Sequence, residues 1–354
     1  MIKAISLFSC AGIGELKLKE LGVSIIVANE LIKKRADVYK ILHPETSMII
    51  GDIRDEGVVK KIKHFKKEKP ELLIATPPCQ GLSTLGKNKK GAQYTADERN
   101  FLIYNIIDLI KFFDFKYILI ENVPKFLEMF FPKNNKLYKI TELLNIELGY
   151  KYQIESSILN AKDYGISQSR PRSIIKIYKK GQKWPEPKKK KIITLEESIG
   201  HLPSLYPGEK SKLKWHNAKI QKEELTKALE HTPTGKSALN NTIFFPKNNK
   251  GEKVRGFHNT YKRMNWNEPA HARTTYNGSV SSHNNVHPGR KLKNGLFSDP
   301  RPLTILETMI VSSIDIETCF PEDISESFLR TLIGEGVPPK FMYEILKPAL
   351  CQPR

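Results

Sequence analysis

The sequence is poor in cysteine, in acid and in long apolar stretches, and each shortage excludes something. Its 354 residues contain four cysteines, Cys10, Cys79, Cys319 and Cys351, far apart and without a Cys-x-x-Cys pair. That spacing argues against a disulfide framework and against a structural zinc site, so no metal is expected and each thiol must be explained singly. No apolar run reaches the about 18 residues that a membrane-spanning helix requires, and Met1 leads directly into the strand-like Ile2 to Leu7 instead of a signal peptide. A soluble, cytoplasmic protein without a membrane partner is the expectation. Acids are outnumbered, 38 against 58 Lys and Arg, for a formal charge of +20. Such a balance suits a polyanion, nucleic acid above all, although runs such as Lys188 to Lys191 also occur on plain solvated faces.

What is present has a clear rhythm. Short apolar runs at Ala4 to Phe8, Val23 to Asn29, Leu72 to Ala75, Tyr117 to Glu121, Lys151 to Leu159 and Arg172 to Tyr178 alternate with helix-length amphipathic stretches such as Leu102 to Phe113 and Leu137 to Leu148. This β/α alternation predicts a doubly wound α/β domain with a mostly parallel sheet covered on both faces. Gly181 to Lys191 reads as a linker. From Ile192 to about Pro300 periodicity is poor, and isolated aromatics (Trp215, Phe257, Tyr261, Trp266) stand among Asn, His, Lys and Arg. Helical pattern returns at Phe328 to Ile333 and Lys340 to Leu346. The expected organisation is one domain over 1–180 plus 331–354 and a second, smaller one over 181–330.

In doubly wound sheets ligands bind beyond the carboxyl ends of the strands. The first strand runs into Phe8-Ser9-Cys10-Ala11-Gly12-Ile13-Gly14 ahead of a helical Glu15 to Leu21, a small-residue turn whose backbone N–H groups can approach a nucleotide-like ligand. Dinucleotides, adenosyl cofactors and plain structural turns all use such a turn. Glu30, ending the second strand, can accept both hydroxyl protons of a ribose or can simply open a helix. Asp52 can accept from an adenine amino group or serve an ordinary Gly-Asp turn. After the strand Leu72 to Ala75 come Thr76-Pro77-Pro78-Cys79-Gln80-Gly81-Leu82-Ser83, where two prolines stiffen the backbone and set a thiol at a strand end. The loop that follows is polar and basic through Lys87, Lys89 and Lys90, unlike the surroundings of a core cysteine. Glu121 ends the next strand, and Arg170 and Arg172 open the last. A thiol, a carboxyl group and two arginines thus gather at one sheet edge.

These motifs, in this order from residue 5 to residue 341, resemble those of the DNA (cytosine-5) methyltransferases of bacterial restriction–modification systems. Phe8 with Gly12 looks like the first cofactor motif, Glu30 and Asp52 like the ribose and adenine acids, and Pro78-Cys79-Gln80 like the catalytic motif. Arg99-Asn100-Phe101-Leu102, Glu121-Asn122-Val123, Gln168-x-Arg170-x-Arg172, Arg301-x-Leu303-Thr304 with Glu307, and Gly334-x-Gly336-Val337-Pro338 are similar to further motifs of the family. Two positions depart from it: Cys10 stands where the family usually has Gly, and Glu335 where it usually has Asn. The resemblance implies a Rossmann-like methyltransferase domain with a target-recognition domain. Its implied cofactor is S-adenosyl-L-methionine, held by Phe8, Cys10, Ala11, Gly12, Ile13 and Glu30, with Asp52, Ile53, Pro78, Leu102, Gly336 and Val337.

By the same resemblance Cys79 would add to carbon 6 of cytosine, because carbon 5 is a poor nucleophile toward a sulfonium methyl and needs covalent activation. Arg170 and Arg172 would lie near the base, Arg172 on its carbonyl oxygen, and Glu121 would grip ring nitrogen 3 and the exocyclic amine. Carbon 6 is out of reach inside a duplex, so the base must be flipped. Gln80, Ser83, Lys87, Arg255, Arg263, Arg273 and Arg290 are the expected contacts to double-stranded DNA. The protein is expected to act as a monomer in bacterial cytoplasm or nucleoid, with a cognate restriction endonuclease acting separately. An exocyclic-amine methyltransferase would carry an aromatic ring where Cys79 stands. A dinucleotide oxidoreductase would fit the first turn but not Pro-Pro-Cys-Gln.

Overall fold

The computed structural model describes residues 1–78 and 101–351. Its centre is a seven-stranded sheet of order β3-β2-β1-β4-β5-β10-β8, formed by β1 (Ile2–Leu7), β2 (Val23–Glu30), β3 (Ser47–Ile50), β4 (Leu72–Ala75), β5 (Tyr117–Asn122), β8 (Tyr152–Asn160) and β10 (Pro171–Lys179). The first five pair in parallel, and β10 runs antiparallel to both β5 and β8. The central β4 and β5 are buried at every residue, as expected of strands covered on both faces. A hairpin, β6 (Phe130–Lys133) with β7 (Lys136–Lys139), stands apart from this sheet.

Helices α1 (Lys33–Leu42), α2 (Glu56–Lys63), α3 (Ile103–Phe112) and α4 (Ile140–Leu148) connect these strands. Asp55 caps α2 by accepting from Val58 N at 2.9 Å. A large apolar cluster, including Leu7, Leu73, Ile106, Ile118 and Leu144, packs against the sheet. Two readings change here. The stretch expected as a helix from Glu15 to Leu21 is two short 3-10 turns, Ile13–Glu15 and Leu18–Leu21, because Glu15 turns inward to Ser6 and Tyr39. Residues 136–139 form β7, so the helix expected from Leu137 begins at Ile140.

The chain forms two compact units: 1–160, 171–188 and 342–354 make the first, and 161–170 with 189–341 the second. The division falls at 188/189 and 341/342 instead of the expected 180/181 and 330/331. Trp184 keeps the chain with the first unit, since its Nε1 donates to Ile345 O at 2.9 Å.

The second unit contains β9 (Gln168–Ser169), paired in parallel with β11 (Ala270–His271). Its helices are α5 (Leu195–Ile199), α6 (Glu223–Glu230), α7 (Ile305–Val311) and α8 (Glu326–Glu335); α9 (Pro339–Leu350) starts there and ends in the first unit. Capping boxes at Thr194/Glu197 and Thr304/Glu307 start α5 and α7. Two small apolar clusters, one around Leu195, Met264 and Leu303 and one around Leu229, Val280 and Val286, serve this unit. Among the described residues no helix is long and apolar enough to cross a membrane, and no group of three or more His, Cys, Asp or Glu could hold a metal ion.

Candidate active site

The register of the parallel strands fixes which side chains share an edge. Ile49, Asn29, Leu7, Ala75 and Ile120 lie in one row across β3, β2, β1, β4 and β5. The next residues along those strands, among them Glu30, Phe8, Thr76 and Glu121, therefore emerge side by side. Thr76 Oγ1 donates to Phe8 O at 3.1 Å, tying β4's end to β1's.

The turn after β1 is tightly built. Phe8 and Cys10 take positive φ values of 59° and 50°, and Gly12 one of 70°. For Cys10 this is the region where glycine is at ease and an L-residue is strained by about 1 kcal/mol or more, so the cysteine occupies a conformation that favours glycine. A Cβ on Gly12 would meet the His43 ring at 2.5 Å and Tyr39 at 2.7 Å. His43 Nε2 lies 2.9 Å from Gly12 O. Below it, Ser6 and Tyr39 both donate to the buried Glu15 carboxylate, and burial together with the Glu15 charge pushes the Tyr39 phenol well above its ordinary range, so that it remains a donor. Ser6, Glu15, Tyr39 and His43 were not singled out from sequence.

Glu30 is buried, and its two oxygens accept from Cys10 N at 2.9 Å and Ile32 N at 2.8 Å. Asn29 Nδ2 donates to Ile49 O and Gly51 O, both at 3.0 Å, which holds the turn carrying Asp52 against β2. Asp52 is gripped by Arg54, whose NH2 lies 2.7 Å from Oδ2, and this hydrogen bonding lowers the carboxyl pKa. The side chains of Ala11, Ile13, Ile53 and Leu102 are buried, the last two in the apolar core of this unit.

At the far end of the row, Glu121 is buried and pairs with Arg172, Nε to Oε1 at 3.0 Å. Antiparallel pairing of β10 on β5 brings them together, since Ile174 lies opposite Glu121. Asn122 Nδ2 donates to Pro77 O at 3.0 Å, and Ser173 Oγ donates to Asn122 O at 3.1 Å. The Pro77-Pro78 stem is thus fastened beside the ion pair. Cys79, Gln80, Ser83 and Lys87 lie outside the described residues.

The remaining expected site residues belong to the second unit. Arg170 is buried, and its guanidinium donates to Arg273 O (3.1 Å), Gly334 O (3.1 Å) and Glu335 O (3.2 Å). These three hydrogen bonds all go to backbone carbonyls. Gly334 is required by close packing, as a Cβ there would meet Thr274 O at 2.3 Å; Gly336 caps α8, and Val337 is buried.

Two expected phosphate contacts are corrected. Arg263 is wholly buried, donating to Leu229 O (3.0 Å) and His287 O (2.8 Å). Arg273 is buried as well, its NH1 donating to Asn285 Oδ1 at 2.7 Å. Both guanidiniums have their donors committed to the protein interior, so neither is placed to meet a phosphate. Arg255 is exposed, and Arg290 is exposed with a Glu196 partner at 2.7 Å and its guanidinium 4.5 Å above the Trp266 ring.

Comparison with known proteins agrees with this geometry. The profile of the C-5 cytosine-specific DNA methylases matches residues 2–350. The Type II methyltransferase M1.HgaI of Avibacterium volantium is 45% identical over 347 residues, covering 98% of this chain and 97% of that protein. Among solved structures, a protein described as a DNA modification methyltransferase encoded within an E. coli prophage aligns with a TM-score of 0.70 at 17% identity, over 99% of this chain and 100% of that one. The DNMT2 of Spodoptera frugiperda aligns with a TM-score of 0.63 at 18% identity, over 99% and 100%. At such identities these two speak for the fold alone. With a family profile spanning nearly the whole sequence and a relative alike from end to end, the chain belongs to the C-5 cytosine-specific DNA methylases and is a cytosine-5 DNA methyltransferase.

Proposed function

We propose that the chain methylates carbon 5 of a cytosine flipped out of a specific duplex DNA sequence, through a covalent adduct on Cys79, within a Type II restriction–modification system whose endonuclease acts separately. The observation that carries this reading is the pair of the buried Glu121 with the partly buried Arg172, next to Asn122, which fastens the proline stem that leads into Cys79.

The residues of the first edge suit S-adenosyl-L-methionine. The donor set fits an adenosyl group: Glu30 offers a carboxylate with lone pairs left after two backbone N–H bonds, next to a turn without side-chain bulk at Gly12, and Asp52 offers a second carboxylate. Phe8, Cys10, Ala11, Gly12, Ile13 and Glu30 would hold it, with Asp52, Ile53, Pro78 and Leu102; Gly336 and Val337 are assigned by family likeness. When bound it supplies an electrophilic methyl carbon.

Cys79, as thiolate, forms a bond to carbon 6 of the base, and the electron pair moves to carbon 5. A free thiol of pKa near 8.5 is only a few per cent thiolate at neutral pH, so a nearby cation helps. Glu121 accepts from the exocyclic amine and, once it carries a proton, donates to ring nitrogen 3, which distinguishes cytosine from thymine. Arg172 orients Glu121 and reaches the base carbonyl oxygen. After carbon 5 gains its methyl, a base removes the carbon 5 proton and the Cys79 sulfur leaves. Arg170 acts as a positioning residue through its three carbonyl partners. The second unit contacts DNA, with Arg255 and Arg290 on phosphates.

With labelled cofactor and duplex DNA, label is expected in 5-methylcytosine; label on the exocyclic amine refutes the mechanism. Duplex containing 5-fluorocytosine should trap an adduct that Cys79→Ser abolishes, along with several orders of magnitude of turnover.

A further inference from the structure

Two aromatic rings of the second unit stand in water on loops that are fastened from beneath. Phe257 is 73% exposed and Tyr276 71%. A single exposed ring needs no explanation. What distinguishes these is how much buried polar structure holds their backbones in place. Arg273 donates to Asn285 Oδ1 at 2.7 Å and Asn284 O at 3.2 Å. Asn285 Nδ2 in turn donates to Asn277 O and Ser279 O, each at 2.7 Å, and Arg330 NH1 donates to Asn277 Oδ1 at 3.0 Å. Segment 274–286, which carries Tyr276, is thereby pinned by three buried side chains.

The segment carrying Phe257 is laced to it. Asn284 N donates to Asn259 O at 2.7 Å, Tyr261 N to Val280 O at 3.1 Å, and Ser237 Oγ to Thr260 O at 2.7 Å. The His283 ring meets the Phe257 ring edge-on with centroids 6.4 Å apart. Neither ring is tucked away, although burial of such a side chain gains about 1.5–3 kcal/mol. A fastened loop also loses little conformational entropy when a partner arrives.

Charge indicates the partner. Between residues 251 and 290 the acids are Glu252 and Glu268, against Lys253, Arg255, Lys262, Arg263, Arg273 and Arg290; with Arg263 and Arg273 buried, Lys253, Arg255 and Arg290 remain exposed, Arg290 in a pair with Glu196. Exposed aromatic faces on a segment rich in basic residues suit a polyanion that itself presents flat rings and methyl groups. We propose that Phe257 and Tyr276 are specificity-determining residues, whose rings contact target bases while Arg255 meets phosphate. This rests on the reading of the second unit as the DNA-contacting one.

The test uses the full chain and a randomised duplex library, methylated and then read by bisulfite sequencing. The wild type, Phe257→Ala, Tyr276→Ala, Tyr276→Phe and, as a control, Ile243→Ala at a 75% exposed position of the same unit are compared. Each alanine variant at a ring is expected to lose about tenfold discrimination at one or more positions of the methylated motif, the scale of a single base contact. Tyr276→Phe and Ile243→Ala should reproduce the wild-type motif, and all variants should keep the wild-type melting temperature and calorimetric cofactor affinity. An alanine variant that reproduces the motif at every position removes its ring from the role, whatever happens to total methylation. A wild type that modifies no cytosine in any duplex overturns the underlying function and the role of both rings with it.

Discussion

Each of the two units has an interior built on a different chemistry. In the first, strands and helices close on extensive apolar packing, such as the cluster around Leu7, Ile106 and Ile118, and charged groups such as Glu30 and Glu121 appear where strands end. In the second, the strands are only two residues long, the apolar clusters are small, and buried arginines take over: Arg263, Arg273, Arg301 and Arg330 donate chiefly to backbone carbonyls and to a few acids and amides. Irregular backbone leaves many carbonyls without ladder partners, and a guanidinium with five donors in a fixed fork can satisfy several at once. A segment can thus be irregular in sequence and still be fixed in shape. The arrangement concentrates vulnerability, because removing one partner leaves a buried charge or several unpaired carbonyls.

If chemistry belongs to the first unit and shape to the second, substitutions should separate rate from stability. The largest effect is expected at Glu121: Glu121→Gln should lower kcat by about 10²- to 10⁴-fold, the range for losing an acid–base group, with an unfolding midpoint near wild type. A loss of stability that matches the loss of rate would break the division. Next comes Arg301, which forks onto Glu307 at 2.8 and 3.0 Å and reaches Asp299 at 2.7 Å. Arg301→Leu leaves two buried carboxylates uncompensated and should cost about 3–5 kcal/mol in urea unfolding.

A third test concerns pH. Burial lowers His287 to about 4, against the pull of Asp299 and Glu307; its Nδ1 accepts from Gly289 N at 3.1 Å, as a neutral ring does. The unfolded chain therefore binds this proton below about pH 6.5 while the folded one refuses it until about pH 4. Stability contributed here is complete above that window and falls as pH drops through it, and His287→Gln should flatten the slope. Glu307 titrates lower still: burial raises it, but Arg301 and His287 outweigh burial and hold it at about 2. The smallest effect is at Arg290. Its exposed pair with Glu196 contributes at most about 1 kcal/mol to stability, but Arg290→Ala should reduce the magnitude of the log–log salt slope of DNA binding by about 0.9.

The same contrast explains what could be read in advance. Strand runs such as Leu72 to Ala75 and Tyr117 to Glu121 declare themselves because a fully buried parallel strand must be continuously apolar, and the residues after them are then found by counting. The strand-end positions of Glu30 and Glu121 were legible in this way, and so was the place of Arg172 at the start of a strand. Arg263 and Arg273 were misread because a guanidinium that serves carbonyls and one that serves phosphates look alike in sequence; only neighbours from Leu229, His287 and Asn285, far along the chain, decide between them. The hairpin at 130–139 and the inward turn of Glu15 were missed for a related reason, since short strands and single buried carboxylates carry no period.

Glu30 has a consequence beyond recognition. Its two oxygens carry the amide protons of Cys10 and Ile32, one from the turn after β1 and one from just past β2. The exchange rates of those two amides with deuterated solvent therefore form a built-in gauge of how firmly the carboxylate is held. Any ligand that engages it should register there as a change in protection, before a single methyl group has moved.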